Sequence, residues 1–181
     1  MTAAIRSFQG ITPRLGARVY VDSASVVIGD VTLGDDCSVW PMTVIRGDMH
    51  RIRLGARVSV QDGSVLHITH ASDFNPEGFP LTVGDDVTIG HKAILHGATL
   101  GHRILVGMGA IVMDGATVDD EVIIAAGAVV TPGKHLQSGY VYAGNPARPL
   151  RPLKESERAF LPYTAGNYVA LKDTFLAETP A

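Results

Sequence analysis

Two histidines occupy equivalent places in the chain, and a third lies close by in sequence. His67 and His96 each follow a leucine directly, Leu66 and Leu95, and they are 29 residues apart. His91 lies shortly before the second of them. Imidazoles are common zinc ligands, and three of them with one open coordination position are typical of a catalytic zinc site. Whether the three side chains can meet depends on the elements that position them.

A six-residue repeat through most of the chain indicates what those elements are. Aliphatic residues recur at every sixth position from Leu15 to Ile45, and the repeat continues with interruptions to Val130. This period fits neither an α-helix nor an amphipathic strand, whereas hexapeptide repeats are a signature of the parallel β-helix. We therefore predict an all-β solenoid with three sides and about 18 residues per turn. A β-sandwich of short strands is the alternative, and the sustained phase of the repeat disfavours it.

The repeat places His67 and His96 on adjacent turns. An insertion of eleven residues lies between Leu66 and Val83, so the remaining separation corresponds to about one turn. The two side chains should stack, with their backbones about 4.8 Å apart, and could share one metal ion. His91 falls on the preceding side of the triangle, up to about 16 Å away along an extended chain. It could complete the site only from a neighbouring subunit, as in a threefold-symmetric trimer.

Three motifs resemble those of γ-class carbonic anhydrases: Arg46-Gly47-Asp48, Gln61-Asp62-Gly63 shortly before His67, and the segment from His91 to His96-Gly97. The resemblance covers residues 14–168 and implies a left-handed parallel β-helix, an exception to the right-handed crossover preference. It also implies a homotrimer with a metal ion at each interface. His67 and His96 of one subunit and His91 of the next would be the metal ligands. Zinc is the first expectation, and imidazole ligands also suit iron or cobalt.

The same resemblance implies roles for five other residues. Arg46 and Asp48 match an interface ion pair. Gln61 matches the residue that hydrogen-bonds the metal-bound water, Asp62 is its neighbour in the pocket, and Tyr168 matches a tyrosine near the site. The implied reaction is attack of a metal-bound hydroxide on carbon dioxide to give bicarbonate. The metal makes this possible by lowering the pKa of water from 15.7 to about 7.

One segment departs from the family pattern. The archaeal branch of the family carries an acidic loop with a glutamate proton shuttle, whereas residues 48–53 contain no glutamate. The long insertion offers only Glu77. His50 and His70 are the alternative proton relays, because an unperturbed imidazole titrates near pH 6.5.

Two other functions remain compatible with the repeat. A coenzyme A-dependent hexapeptide acyltransferase would need a single histidine as general base, and stacked histidines would add nothing to it. A trimeric scaffold would bind metal for assembly alone, with weak or no hydratase activity. Coenzyme A binding identifies the first, and tolerance of Gln61 replacement identifies the second.

Composition favours one cytoplasmic domain. The chain has 181 residues, of which 46% are hydrophobic and 18% charged, which is enough apolar material for a core. A net charge of −3 with scattered Lys and Arg disfavours nucleic-acid binding. No apolar run is long enough for a membrane span, and residues 1–10 lack a signal-peptide core. The single cysteine, Cys37, lies at an inward repeat position and should be buried.

The predicted domains are a β-helix over residues 1–148, with an outward loop at about 68–82, and a C-terminal helical segment over residues 149–181. The repeat fades past Pro132. Helices are predicted over residues 154–161 and 165–177, and the coil or a neighbouring subunit should cover an apolar stripe on the second. That stripe comprises Tyr168, Leu171, Phe175 and Leu176.

Overall fold

Mostly very short strands stack in parallel to form a three-sided prism. The computed structural model describes residues 4–178, and its coil is a left-handed β-helix of hexapeptide repeats, as predicted. The repeat anchors, such as Ile45, Leu66, Leu95 and Val112, are fully buried along the axis. The first anchor, Leu15, is exposed, because it lies at the end of the coil.

Three faces make up the prism, and β4 (Val26–Leu33) and β6 (Val44–Leu54) bend around one corner to join two of them. The first face contains the N-terminal halves of β4 and β6 with β1 (Ile5–Arg6), β8 (Val65–His67), β11 (Ile94–His96), β14 (Ile111–Val112) and β17 (Val129–Val130). The second face contains the C-terminal halves with β2 (Arg14–Leu15), β9 (Leu81–Val83), β12 (Thr99–Leu100), β15 (Thr117–Val118) and β18 (His135–Leu136).

The third face is a separate eight-stranded sheet. Its members are β3 (Tyr20–Val21), β5 (Ser38–Val39), β7 (Ser59–Val60), β10 (Thr88–Ile89), β13 (Leu105–Val106), β16 (Ile123–Ile124), β19 (Tyr140–Ala143) and β20 (Arg148–Pro152). The coil continues beyond Pro132, because Leu136 and Tyr142 occupy further buried positions of the same period. A turn at residues 144–147 then reverses the chain, and β20 pairs antiparallel with β19.

A single helix, α1 (Glu155–Glu178), follows, so the prediction of two helices is wrong. The helix continues through Pro162 and Gly166, although proline in a helix interior costs about 3 kcal/mol. Burial of Leu161 and Ala165 against the coil offsets that cost. With 24 residues, α1 is about 36 Å long, which matches the length of the third face.

Aromatic contacts fasten the far end of α1 to the third face. The Phe175 ring lies 5.5 Å from Tyr20 and 5.3 Å from Trp40, and Tyr168 lies 6.2 Å from Trp40, between ring centroids. The predicted stripe therefore contacts the coil through Tyr168 and Phe175. Phe175, Leu171 and Leu176 nevertheless remain substantially exposed.

Charged residues at one corner of the prism also hold the helix. The corner residues have left-handed backbone angles and alternate in charge from turn to turn: Arg18, Asp36, Arg57, Asp86, Arg103 and Glu121. Fully buried Lys172 of α1 binds this ladder near one end, with its Nζ 3.0 Å from an Asp36 oxygen. Arg158 pairs with Glu121 near the other end. These two ion pairs thereby help to fix the position of α1 on the third face.

Burial also explains the behaviour of the cysteine thiol. Burial raises the pKa of the Cys37 thiol to about 12, in keeping with its predicted inward position.

No helix within residues 4–178 has the length and apolar character that crossing a bilayer demands.

The insertion between β8 and β9 projects from the coil. The backbones of Thr69 and Phe79 exchange two hydrogen bonds at its base and fasten it there.

Candidate metal centre

His67 and His96 stack on adjacent turns of the first face. They end β8 and β11 and lie directly opposite each other in the parallel register, which confirms the placement predicted from the repeat. His67 Nδ1 and His96 Nε2 are 3.1 Å apart. Two nitrogens bound to one tetrahedral zinc at 2.0–2.1 Å would be about 3.3 Å apart. The spacing of the two rings therefore fits a shared metal ion.

A carboxylate contacts the outer nitrogen of each ring. Asp48 Oδ1 lies 3.1 Å from His67 Nε2, and Asp114 Oδ1 lies 2.6 Å from His96 Nδ1. An ionised carboxylate only accepts hydrogen bonds, so each outer nitrogen donates its hydrogen. The inner nitrogens then face each other with lone pairs, and these repel unless a proton or a cation lies between them. This donor set is suited to a metal ion.

Burial is the main reason why His67 favours its neutral form. Burial lowers the pKa of His67, and the nearby Arg46 charge adds to that effect, although Asp48 opposes it. Burial alone would raise the pKa of Asp48, but hydrogen bonds from Arg46 and His67 keep it below its ordinary value. A neutral imidazole is the form that binds metal. The predicted ion pair of Arg46 with Asp48 forms within one chain, directly beside the histidine stack.

The other predicted site residues lie beside the third face, with Gln61, Asp62 and His91 just after its strands and Tyr168 on α1. His91 Nδ1 is 2.9 Å from Asp62 Oδ2, and both side chains are about half exposed. Gln61 is buried, and it lines the same cavity as Tyr168. Burial and the Asp62 charge raise the pKa of Tyr168, so the phenol keeps its proton at neutral pH.

Gln61, His91 and Tyr168 line a cavity of about 340 Å³ between the third face and α1. Most of the remaining lining is apolar, with Leu105 and Met108 among its walls. Such a cavity, with a few polar groups directed into it, is the usual form of a small-molecule site.

Within one chain, the His67–His96 pair and His91 lie apart. Among residues 4–178 there is no cluster of three or more His, Cys, Asp or Glu side chains placed to hold a metal. His67 and His96 lie on the first face, whereas His91 lies at a corner beside the third. This division agrees with the sequence argument that a third imidazole must come from another subunit, and the ligand set stays a prediction.

Sequence reasoning missed Asp114 and Thr69. Asp114 follows β14 and reaches back to His96, and Thr69 Oγ1 donates a hydrogen bond to its Oδ2 at 2.8 Å. The available signal was an aspartate about one turn after His96-Gly97. Asp114 lies 18 residues after His96, on the adjacent turn, where a carboxylate can orient the imidazole ring.

His50, a predicted relay, has both ring nitrogens engaged by backbone groups. The Arg51 N–H donates to His50 Nδ1 at 2.8 Å, so Nε2 carries the hydrogen and donates to the Glu77 carbonyl at 3.2 Å. The contact with Glu77 holds the projecting loop against β6. His70 is exposed at the base of the same loop.

The fold defines a class, the hexapeptide-repeat β-helix proteins. Residues 12–47 match a bacterial transferase hexapeptide model of six repeats, and residues 80–114 match a model of the hexapeptide repeat of succinyl-transferase. A solved hexapeptide transferase family protein from Anaplasma phagocytophilum superposes with a TM-score of 0.89 at 36% identity, covering 97% of this chain and 99% of that one.

Curated relatives narrow the class. The chain is 56% identical to Protein YrdA of Escherichia coli, over 97% of this chain and 96% of that protein. It is 39% identical to a carbonic anhydrase of Geobacillus kaustophilus, over 84% of this chain and 80% of that enzyme. The chain belongs to the γ-carbonic-anhydrase-like family of hexapeptide-repeat proteins.

Proposed function

We propose that this protein is a metal-dependent carbonic anhydrase of the γ type, active as a homotrimer on carbon dioxide and bicarbonate. The observation that carries the proposal is the pair of facing nitrogens of His67 and His96, 3.1 Å apart, each ring held by a carboxylate. A relative named as a carbonic anhydrase supports the same reaction.

The third ligand in this proposal is His91 of an adjacent subunit. Its contact with Asp62 occupies Nδ1, which leaves Nε2 available at the protein surface. A closed threefold ring presents the first face of one chain to another face of the next. The three imidazoles would hold zinc, with iron or cobalt as other suitable ions.

A metal ion at this site would supply Lewis acidity, which lowers the pKa of a bound water to about 7. The chain's own groups would bind and orient the reactants. Gln61 can donate and accept hydrogen bonds at the cavity wall, and Tyr168 contacts it there. Leu105 and Met108 give the cavity apolar walls, which suit a small uncharged molecule such as carbon dioxide.

An acyltransferase is the second candidate, since both matching family models are named for transferases. A transferase would use one histidine as base, and it has no need of two imidazoles with facing lone pairs. Calorimetric titration with coenzyme A tests this candidate. Saturable micromolar binding would favour it over the hydratase.

Metal content tests the proposed site. We expect purified trimer to bind one zinc per chain, and we expect His91→Ala to lose it although His67 and His96 remain. His135→Ala is the matched control, because His135 also pairs with an aspartate but lies on the second face. Full zinc occupancy in His91→Ala would contradict a site shared between subunits.

A further inference from the structure

A hydrogen-bonded chain leads from the projecting loop to His96. Thr69 lies at the base of the loop and donates to Asp114 Oδ2, and Asp114 Oδ1 accepts from His96 Nδ1 at 2.6 Å. The two oxygens of one carboxylate therefore connect the loop to a predicted metal ligand.

The backbone leaves space for this carboxylate. A Cβ atom at Gly97 would overlap Asp114 Oδ1 and crowd the Phe79 side chain. Gly97 directly follows His96, so the absence of a side chain there lets Asp114 reach the ring from the next turn. The Phe79 ring also packs close to Gly115, directly after Asp114. The loop, the aspartate and the histidine thus form one packed unit.

We propose that Asp114 is a positioning residue for His96. It holds the ring in the tautomer with hydrogen on Nδ1, so that Nε2 presents a lone pair to the metal, and Thr69 holds Asp114. This inference rests on the proposed function, because it assigns a purpose to the Nε2 lone pair. Carboxylates that orient metal-binding histidines typically contribute 10- to 100-fold in metal affinity.

The Asp114→Asn substitution tests the inference with almost no change in shape. A carboxylate can only accept from His96 Nδ1, whereas the introduced amide can also donate to it. Donation would move the ring hydrogen to Nε2 and block ligation. We expect zinc affinity, measured by chelator competition, to fall about 10- to 100-fold. Asp119→Asn is the control. Asp119 Oδ1 lies 2.8 Å from His135 Nε2, and this pair is remote from the His67–His96 stack. The zinc affinity of Asp119→Asn should therefore equal that of the wild type.

A second readout separates this inference from the proposed function. Nitrogen-15 NMR of the metal-free protein reports the His96 tautomer directly. We expect the Nδ1–H form in the wild type and a mixed or Nε2–H form in Asp114→Asn. An unchanged tautomer, or unchanged zinc affinity, in Asp114→Asn would overturn the inference while leaving the proposed function intact. If the wild type bound no zinc, the proposed function would fail, and the tautomer would still decide the role of Asp114.

Discussion

Mixing two inactive variants tests the shared site quantitatively. His91→Ala removes the ligand on one side of the proposed interface, and His96→Ala removes one on the other side. Trimers of either variant alone have no complete site. In a mixed trimer, one of the three interfaces joins an intact His67–His96 pair to an intact His91, because a closed ring presents each pairing of neighbours once.

The expected recovery follows from this geometry. Random association of equal amounts places about three quarters of the trimers in mixed form, each with one complete site in three. About one quarter of the wild-type metal content should therefore return. The assay is zinc quantification after the variants, carrying different tags, are unfolded and refolded together. Native mass spectrometry of the same sample measures the fraction of mixed trimers.

A matched mixture provides the control. His67→Ala and His96→Ala both damage the same side of the interface, so their mixed trimers contain no intact pair and should bind no zinc at this site. Recovery in that mixture, or no recovery in the first mixture despite abundant mixed trimers, would refute the shared-site reasoning.

Two further substitutions test the helix anchor and the cavity. Lys172→Met removes one of two cations from Asp36, and Arg18 remains at 2.6 Å. Loss of a buried partner costs 3–5 kcal/mol, so with Arg18 present we expect about 2 kcal/mol, measured as a fall in Tm of about 4–8 °C. Exposed Lys154→Met should leave Tm unchanged, and an equal effect of both would contradict the anchor. Gln61→Ala should keep its metal but lose about 10-fold or more in turnover, whereas wild-type turnover would exclude Gln61 from the mechanism.

The periodic part of the molecule was predictable from sequence because the same physical constraint recurs. Each turn buries an aliphatic anchor, so the phase of the repeat carries over long distances. When the eleven inserted residues are subtracted from the separation of His67 and His96, one turn of the repeat remains, which places the two histidines opposite each other. The left-handed sense came from the family resemblance and not from the repeat.

The parts that depend on single contacts were not predictable. Burial of Lys172 depends on where Asp36 lies on the corner ladder, and the hydropathy pattern of α1 contains no sign of that ion pair. Packing against the third face keeps α1 continuous through Pro162, where the local signal favours a break. Asp114 reaches His96 because Gly97 leaves space, a relation between adjacent turns that the hexapeptide pattern does not display.

The proposed activity is hydration of carbon dioxide at a metal held by the stacked histidines. Stopped-flow measurement of carbon dioxide hydration tests it most directly, using trimer loaded with zinc or, anaerobically, with ferrous iron. We expect metal-dependent turnover that His96→Ala abolishes and His135→Ala retains. Full metal occupancy without turnover for either ion would contradict it.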